Sequence, residues 1–280
     1  MKKYYFLVAV AVAALFTACT SENEIAPEEQ GTGTISLVGA TVDAEVETRA
    51  DVTGSEALAA WKATISKAGV AVENYENVAA NTISNVELAS GDYVVSVKNY
   101  ADMATALAVE PYDVDDNPWG AAYYKGSEAV ILKAGEKKSV TVACGGAQNG
   151  RVSAEFDATF TANTYVAEGY TLTVKNAESN PTRSLTFNAS NTAKKAYFGQ
   201  VDANGDGVST TVYYSLTYTY GDDEKTVTGS FALAPATEKK LKVTMSTQGT
   251  ISLIQITYDE FGEPIDEPIA LDALTGEKQQ

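Results

Sequence analysis

Apolar and polar side chains alternate with a period of two along much of this chain, and this pattern constrains the fold more than any other feature. Val212, Leu216 and Tyr218 share one parity of such a run, and shorter runs cover residues 140–144, 170–174 and 241–245. This alternation is typical of strands with one buried face in an antiparallel sheet. Glycine, Asn and Asp clusters separate the runs. The sequence therefore predicts an all-β fold, with short helices only near residues 55–61 and 101–108.

Internal repetition predicts how the strands are grouped. Gly33-Thr34-Ile35-Ser36-Leu37-Val38 recurs as Gly249-Thr250-Ile251-Ser252-Leu253-Ile254, and residues 150–154 form a weaker middle copy. Each later copy follows a related strand, at residues 136–142 and 238–244. Repeats of this kind indicate tandem structural units. We predict two tandem antiparallel β-sandwich domains, residues 31–146 and 147–260, the second with an extra terminal strand after residue 248. A flexible tail is predicted at 261–280.

The N-terminus is typical of an export signal. Lys2 and Lys3 precede an apolar run at residues 4–16, which is too short to span a bilayer as a helix. Phe16-Thr17-Ala18-Cys19 resembles the lipobox of bacterial lipoproteins, which implies cleavage before Cys19 and acylation of that residue. The alternative is an ordinary signal peptide cut near Ala18. We therefore predict a signal peptide at residues 1–18 and a polar, acidic tether at residues 19–30, anchored by palmitate-type chains in the outer membrane.

Residues 20–24 place a serine before two acidic residues directly after Cys19. This resembles the surface-export signal of Bacteroidales lipoproteins, while a simple solvated linker would have the same composition. The resemblance implies an outer-membrane, lipid-anchored protein exposed at the cell surface.

Composition excludes several classes of function. The chain carries 37 acidic and 20 basic residues, a net charge of −17, which disfavours nucleic acid as a partner. Histidine is absent, so the commonest general base and the usual zinc ligand are missing. Cys144 is the one cysteine besides Cys19 and shares its parity with Val140 and Val142, which favours a buried, inert thiol. We expect no enzyme activity, no cofactor and no metal.

Two segments carry candidate sites for ligands, residues 110–126 and residues 202–206. Residues 118–126 place Trp119, Tyr123 and Tyr124 beside acidic Glu110, Asp113, Asp115 and Asp116, and aromatic rings with carboxylates can bind a glycan or a host surface ligand. Paired carboxylates also serve in glycoside hydrolysis, although sequence spacing does not set their separation. Packing of Trp119 at the end of a sandwich is the alternative.

Asp202, Asn204 and Asp206 match the first half of a calcium loop, but Tyr213 occupies the position of its bidentate Glu, so a hairpin turn is favoured.

Several of these segments resemble one family. Residues 118–126, the Gly135-Glu136 turn, residues 140–144 and residues 149–160 are similar to an uncharacterised domain family of Bacteroidales surface lipoproteins, a domain of unknown function. The layout also resembles the fimbrillin superfamily, the type V pilus subunits, which implies two transthyretin-like β-sandwiches after a lipoprotein signal and a role in adhesion. In fimbrillins a trypsin-like protease cuts at an Arg-Ala site after the first strand, and Arg49-Ala50 stands at that place.

That resemblance implies assembly of like subunits by strand exchange. Removal of the first strand leaves a sheet edge that a strand of another subunit can fill. The repeat between Ile35 and Ile251 suggests that the terminal strand fills the neighbour's Ile35 groove, whereas ordinary edge strands with a β-favourable pattern are the alternative. The sequence thus favours a structural and adhesive surface lipoprotein over a glycan-binding one, and both over a hydrolase.

Overall fold

A computed structural model describes residues 31–43, 49–53, 55–109, 118–164, 166, 169–245 and 251–259. These residues form β-strands, loops and a few very short helices, which confirms the all-β prediction. The described residues build two large hydrophobic cores, one from residues between Ile35 and Cys144 and one from residues 152–245 together with Trp119. Met103, Ala106 and Tyr123 form a third, small cluster. Two sheets face each other across each large core, so the molecule contains two β-sandwiches.

The first sandwich contains nine of the described strands. They are β1 (Thr32–Asp43), β2 (Arg49–Thr53), β3 (Lys62–Lys67), β4 (Val70–Ala71), β5 (Val78–Ala79), β6 (Val86–Ala89), β7 (Gly91–Lys98), β8 (Lys125–Leu132) and β9 (Lys137–Gly145). In one sheet β1 lies between β9 on one side and β6 and β2 on the other. The facing sheet has the order β4-β3-β7-β8, with β5 also paired to β3. Alternate residues of both sheets, such as Ile35, Val95 and Val142, are fully buried between them.

The second sandwich follows the same plan. Its strands are β10 (Gly150–Phe156), β11 (Thr171–Lys175), β12 (Ser184–Phe187), β13 (Ala196–Phe198), β14 (Gln200–Val201), β15 (Gly207–Val208), β16 (Thr210–Tyr220), β17 (Asp223–Leu233), β18 (Thr237–Met245) and β19 (Ile251–Asp259). One sheet has the order β13-β10-β18-β19 and faces a sheet with the order β12-β11-β16-β17. The predicted parities hold, because Val212, Leu216 and Tyr218 are buried while Thr211 is exposed.

Each sandwich contains one parallel strand pair that alternation alone does not reveal. Its first strand lies beside its last long strand, β1 beside β9 and β10 beside β18. Each first strand also pairs antiparallel on its other edge, β1 with β6 and β10 with β13. The first strand of each sandwich is therefore an interior strand, and its removal would expose two unpaired edges.

Two short helices lie where the sequence predicts them, α1 (Ser55–Ala59) and α2 (Met103–Leu107), with a 3₁₀ turn at Ala80–Thr82. The prediction of helices only in those two places was wrong, because α3 (Ala158–Thr161) is a third one, a single four-residue turn that is too short to show a helical period. Asp102 begins α2, where its carboxylate accepts a hydrogen bond from the Thr105 N–H at 2.7 Å. Asp157 begins α3 in the same way. This capping satisfies an N–H group that has no partner within the helix.

A buried carboxylate connects three strands of the second sandwich. Glu238 of β18 accepts hydrogen bonds from Arg151 Nε at 2.6 Å, from Lys195 Nζ at 2.7 Å and from the Ser153 hydroxyl. Burial raises the pKa of Glu238, but the hydrogen bonds from Lys195 and Ser153 and the charges of Arg151 and Lys195 outweigh it, so the pKa lies below its usual value. The carboxylate is charged when folded and stabilises the β13-β10-β18 arrangement.

We expect Glu238→Gln to lower the free energy of unfolding at pH 7 by about 3 kcal/mol, because it removes one partner of a buried ion pair. The group has a lower pKa in the folded than in the unfolded state, so its contribution is present above the unfolded pKa and is lost as the pH falls through the folded pKa. Urea unfolding followed by circular dichroism between pH 7 and pH 3 should show the two curves converging in acid. Glu224→Gln, at an exposed position, is the control. A constant difference across this range would contradict the assignment.

Candidate functional site

The candidate site is the groove that holds β1, defined here as the space between β9 on one side and β6 and β2 on the other. Four side chains of β1 are buried in the first core, namely Ile35, Leu37, Ala40 and Val42. The pairing of β1 with β9 shifts register between Leu37 and Gly39. The buried side chains are therefore at odd positions before the shift and at even positions after it, and Val38 is 46% exposed. The groove therefore accepts a strand with apolar residues in a specific, interrupted pattern.

Close contacts further restrict which strand can occupy this groove. A Cβ on Gly33 would lie 2.6 Å from the Lys133 carbonyl oxygen and 2.8 Å from that of Glu136, so only glycine fits there. The Ser36 hydroxyl accepts a hydrogen bond from the Asn85 N–H at 2.8 Å. The Thr34 N–H donates to the Glu136 carbonyl at 2.8 Å. The register of β1 in its groove is therefore determined by Gly33, by Ser36 and by the row of buried apolar side chains.

The sequence of β19 meets each of these requirements. Residues 33–43 read GTISLVGATVD and residues 249–259 read GTISLIQITYD, so seven of eleven positions are identical. The residues equivalent to Gly33 and Ser36 are Gly249 and Ser252. The four buried positions of β1 correspond to Ile251, Leu253, Ile256 and Tyr258, all of which are apolar. The repeat therefore includes the change of parity, which distinguishes it from a simple alternating strand.

The structure places β19 differently from β1. β19 runs antiparallel to β18, with Met245 opposite Ile251 and Thr237 opposite Asp259. Within the described residues, β18 is its one paired neighbour and β19 forms an edge of its sheet. Two nearly identical sequences thus occupy an interior position in one sandwich and an edge position in the other.

The Arg49-Ala50 bond lies at the beginning of β2. Arg49 is opposite Asp43 and Ala50 is opposite Val42, so the bond is at the far end of the β1 groove. Arg49 is also the one basic residue between Lys3 and Lys62. A trypsin-like cut here would separate β1 from the rest of the first sandwich. The signal peptide, Cys19 and the tether lie outside the described residues.

The aromatic candidates for glycan binding face the interior. The Trp119 side chain is 2% exposed and lies in the second core, where its ring meets Phe187 edge to face at 5.0 Å and Lys194 at 5.1 Å. Tyr123 is 5% exposed, and burial together with the Asp102 carboxylate raises its pKa. Tyr124 is partly buried against the first core. These rings are not stacked on one exposed surface, and the acidic residues at 110–116 lie outside the described part.

The Asp202–Asp206 segment forms a closed hairpin turn between β14 and β15. The Asp202 carboxylate accepts hydrogen bonds from the N–H groups of Asn204 and Asp206 at 2.8 and 2.9 Å, and Asp206 pairs with Lys125 at 2.8 Å. These oxygens are already occupied by donors of the protein. No group of three or more Cys, Asp or Glu suited to a metal ion occurs among the described residues.

Cys144 is 7% exposed, and burial raises the pKa of its thiol to about 11. This places it in the first core as an un-ionised thiol, as its parity suggests. Across the described part of the chain, no helix has the length and apolarity needed to cross a membrane.

Comparison with known proteins defines the class to which this fold belongs. Residues 31–272 match the family described as "Domain of unknown function (DUF4493)". The match covers most of the chain, so the protein belongs to this family, as the sequence predicts. No curated protein matches the chain in sequence.

Three solved structures of Bacteroides proteins are among those to which this chain is similar. A candidate cell adhesion protein from Bacteroides eggerthii is 13% identical with a TM-score of 0.40, and covers 78% of this chain and 87% of its own. A candidate cell adhesion protein from Bacteroides fragilis is 9% identical with a TM-score of 0.33, over 80% and 96%. A candidate adhesin from Bacteroides ovatus is 11% identical with a TM-score of 0.28, over 78% and 88%. These descriptions apply to those proteins.

We expect Gly33→Ala to destabilise the first sandwich by about 1–3 kcal/mol, because the added Cβ meets two backbone oxygens that cannot move without shifting the turn between β8 and β9. Thermal unfolding should show the loss. Thr34→Ala, one position along the same strand, is the control and should have a smaller effect. Equal stability of Gly33→Ala and the wild type would mean that the groove is wider than described.

We expect Trp119→Ala to lower the free energy of unfolding by about 3–5 kcal/mol, since it leaves a cavity in the second core. Chemical unfolding followed by circular dichroism measures this loss. A variant with wild-type stability would show that the ring is not packed as described. Trp119→Ala would therefore be a poor test of glycan binding, because loss of binding would follow from loss of folding.

Proposed function

We propose that the protein is a surface-exposed lipoprotein with a structural and adhesive, non-enzymatic role, anchored to the outer membrane through acyl chains at Cys19, which assembles with like subunits by strand addition. In this proposal, cleavage at Arg49 releases β1, and residues 249–259 of a second copy take its place between β9 and β6. The observation that carries the proposal is the repeat of the residue 33–43 sequence at residues 249–259, including Gly249, Ser252 and the interrupted apolar row.

Backbone pairing favours the exchange. In its own sandwich β19 is paired along one edge, to β18. A strand in the β1 position is paired along both edges. Exchange therefore replaces one ladder of hydrogen bonds by two, and each N–H and C=O group buried in the vacated groove regains a partner.

Side-chain size favours cleavage before exchange. Ile256 and Tyr258 are larger than Ala40 and Val42, the residues whose positions they would take. Ala40 is opposite Val52 of β2, and Val42 is opposite Ala50. A cut at Arg49 makes Ala50 a chain terminus, which frees this end of the groove to widen for the larger side chains.

Trypsin treatment of the chain that begins at residue 20 tests the proposal. Cleavage at Arg49 should convert monomers into oligomers, measured by size-exclusion chromatography with light scattering, and mass spectrometry should locate the cut. Arg49→Ala should remain intact across residues 20–61 and monomeric. The same two measurements on protein from its native cell show whether the cut occurs there. A wild-type chain that is cut at Arg49 and stays monomeric would contradict the proposal.

Two substitutions in the proposed donor strand separate its two faces. We expect Leu253→Asp to reduce assembly at least about tenfold, because it would bury an unpaired charge at the Leu37 position. Ile254→Asp is the matched control, since it corresponds to Val38, which is largely exposed in β1. Both variants should be cut at Arg49 at the wild-type rate. Equal assembly of the two variants would contradict strand addition in the β1 register.

A further inference from the structure

A polar cavity of about 480 Å³ lies where the two sandwiches meet. One wall is the outer face of β3, β7 and β8, and the opposite wall is the turn at Asn204, Gly205 and Asp206 of the second sandwich. The volume falls in the range of small-molecule sites. None of the described residues that line it belongs to β1, β6 or β9, so the cavity is argued separately from the proposed assembly.

Three lysines lie side by side along this wall. Lys98 of β7 is directly opposite both Lys62 of β3 and Lys125 of β8, and all three line the cavity. We call these residues the lysine row. Like charges directly opposite each other destabilise a sheet. The row is therefore a cost to folding, and it occurs in a chain with 37 acidic residues that could neutralise it.

One of the three ammonium groups is neutralised within the site. Lys125 Nζ pairs with Asp206 Oδ1 at 2.8 Å, and Asp206 is the one carboxylate among the described residues that line the cavity. No carboxylate oxygen of the described residues lies within 4.0 Å of the Lys62 or Lys98 ammonium. The nearby Asp102, whose pKa is lowered by hydrogen bonds from Thr105 and then by the charge of Lys98, is outside that distance. The cavity lining thus carries a net charge of about +2, whereas the chain carries −17. This local reversal of sign favours an anionic ligand.

Neutral hydrogen-bonding groups form the next row of the same wall. Thr64, Ser96 and Ser127 are opposite one another in the three strands and line the cavity beside the lysine row. Asn77 adds an amide group, whereas the amide of Gln148, which also lines the cavity, is hydrogen-bonded to Gly146 and Gly207. Hydroxyl and amide groups both donate and accept hydrogen bonds, which suits a ligand with many hydroxyls.

We propose that this cavity binds an acidic saccharide, a sugar whose carboxylate or sulfate groups lie against Lys62 and Lys98 while its hydroxyls meet the Thr64–Ser96–Ser127 row. The lysines supply charge-assisted hydrogen bonds to the anionic groups. The turn at residues 204–206, held by the Lys125–Asp206 ion pair, closes the far side. The remainder of the acidic surface repels the same ligand, which restricts binding to this cavity.

Isothermal titration calorimetry of the chain from residue 20 at low salt tests the proposal with three probes. These are trigalacturonic acid, its neutral methyl ester and sodium sulfate. We expect trigalacturonic acid to bind and the ester and sulfate to bind at least about tenfold more weakly, because the ester lacks the charges and sulfate lacks the hydroxyl contacts. Ester or sulfate binding as tight as that of the acid would overturn the proposal, as would the absence of trigalacturonic acid binding.

Variants locate the binding in the cavity. Lys62→Gln and Lys98→Gln should each weaken trigalacturonic acid binding by about tenfold, the loss of one charge-assisted hydrogen bond. Lys137→Gln, an exposed lysine of β9 outside the cavity, should bind as the wild type does. Lys98→Gln should also melt no lower than the wild type, since it relieves repulsion in the row. Unchanged binding in Lys98→Gln, or an equal loss in Lys137→Gln, would overturn the assignment.

Discussion

Both sandwiches depend on the pairing of their first strand with their last long strand. β1 lies parallel to β9, and β10 lies parallel to β18. In the first sandwich this pairing connects residues that are more than a hundred positions apart in the sequence. This pairing places the first strand inside its sheet and closes each core. Because interior strands satisfy hydrogen bonds on both edges, each first strand contributes more to its sheet than an edge strand of equal length.

Charge is distributed in a way that supports this architecture. Glu238 is buried where β10 meets β18, and Arg151, Lys195 and Ser153 surround it, so the charge is compensated and the parallel pair is fixed in register. In the first sandwich the equivalent Glu136 is in the turn before β9, where it accepts a hydrogen bond from the Lys133 N–H at 3.0 Å. The lysine row is the opposite case. Its charges are adjacent and only partly compensated, which is unfavourable for folding and favourable for binding an anion.

Local pattern was sufficient to predict the long alternating strands, their buried faces and two of the three short helices. Val140, Val142 and Cys144 are buried as their parity predicts, and residues 103–107 are helical. Contacts between distant segments were not predictable in this way. Trp119 precedes the second sandwich in sequence but packs in its core, and the lysine row joins positions that are 36 and 27 residues apart. Alternation defines which face of a strand is buried, but it does not define the neighbouring strand or its direction.

The repeat between the first and the terminal strand can be interpreted from the pattern of buried residues in β1. As a hexapeptide it is compatible with two unrelated edge strands. Over residues 33–43 and 249–259, however, it retains the glycine that the turn before β9 requires and the parity change after Leu37. In the proposed assembly these features serve the β1 position of another subunit, and Cys19 leaves with β1 because both precede Arg49. The acyl chains would then hold the subunit at the membrane only until cleavage, so that release and readiness to accept a strand would follow from the same cut.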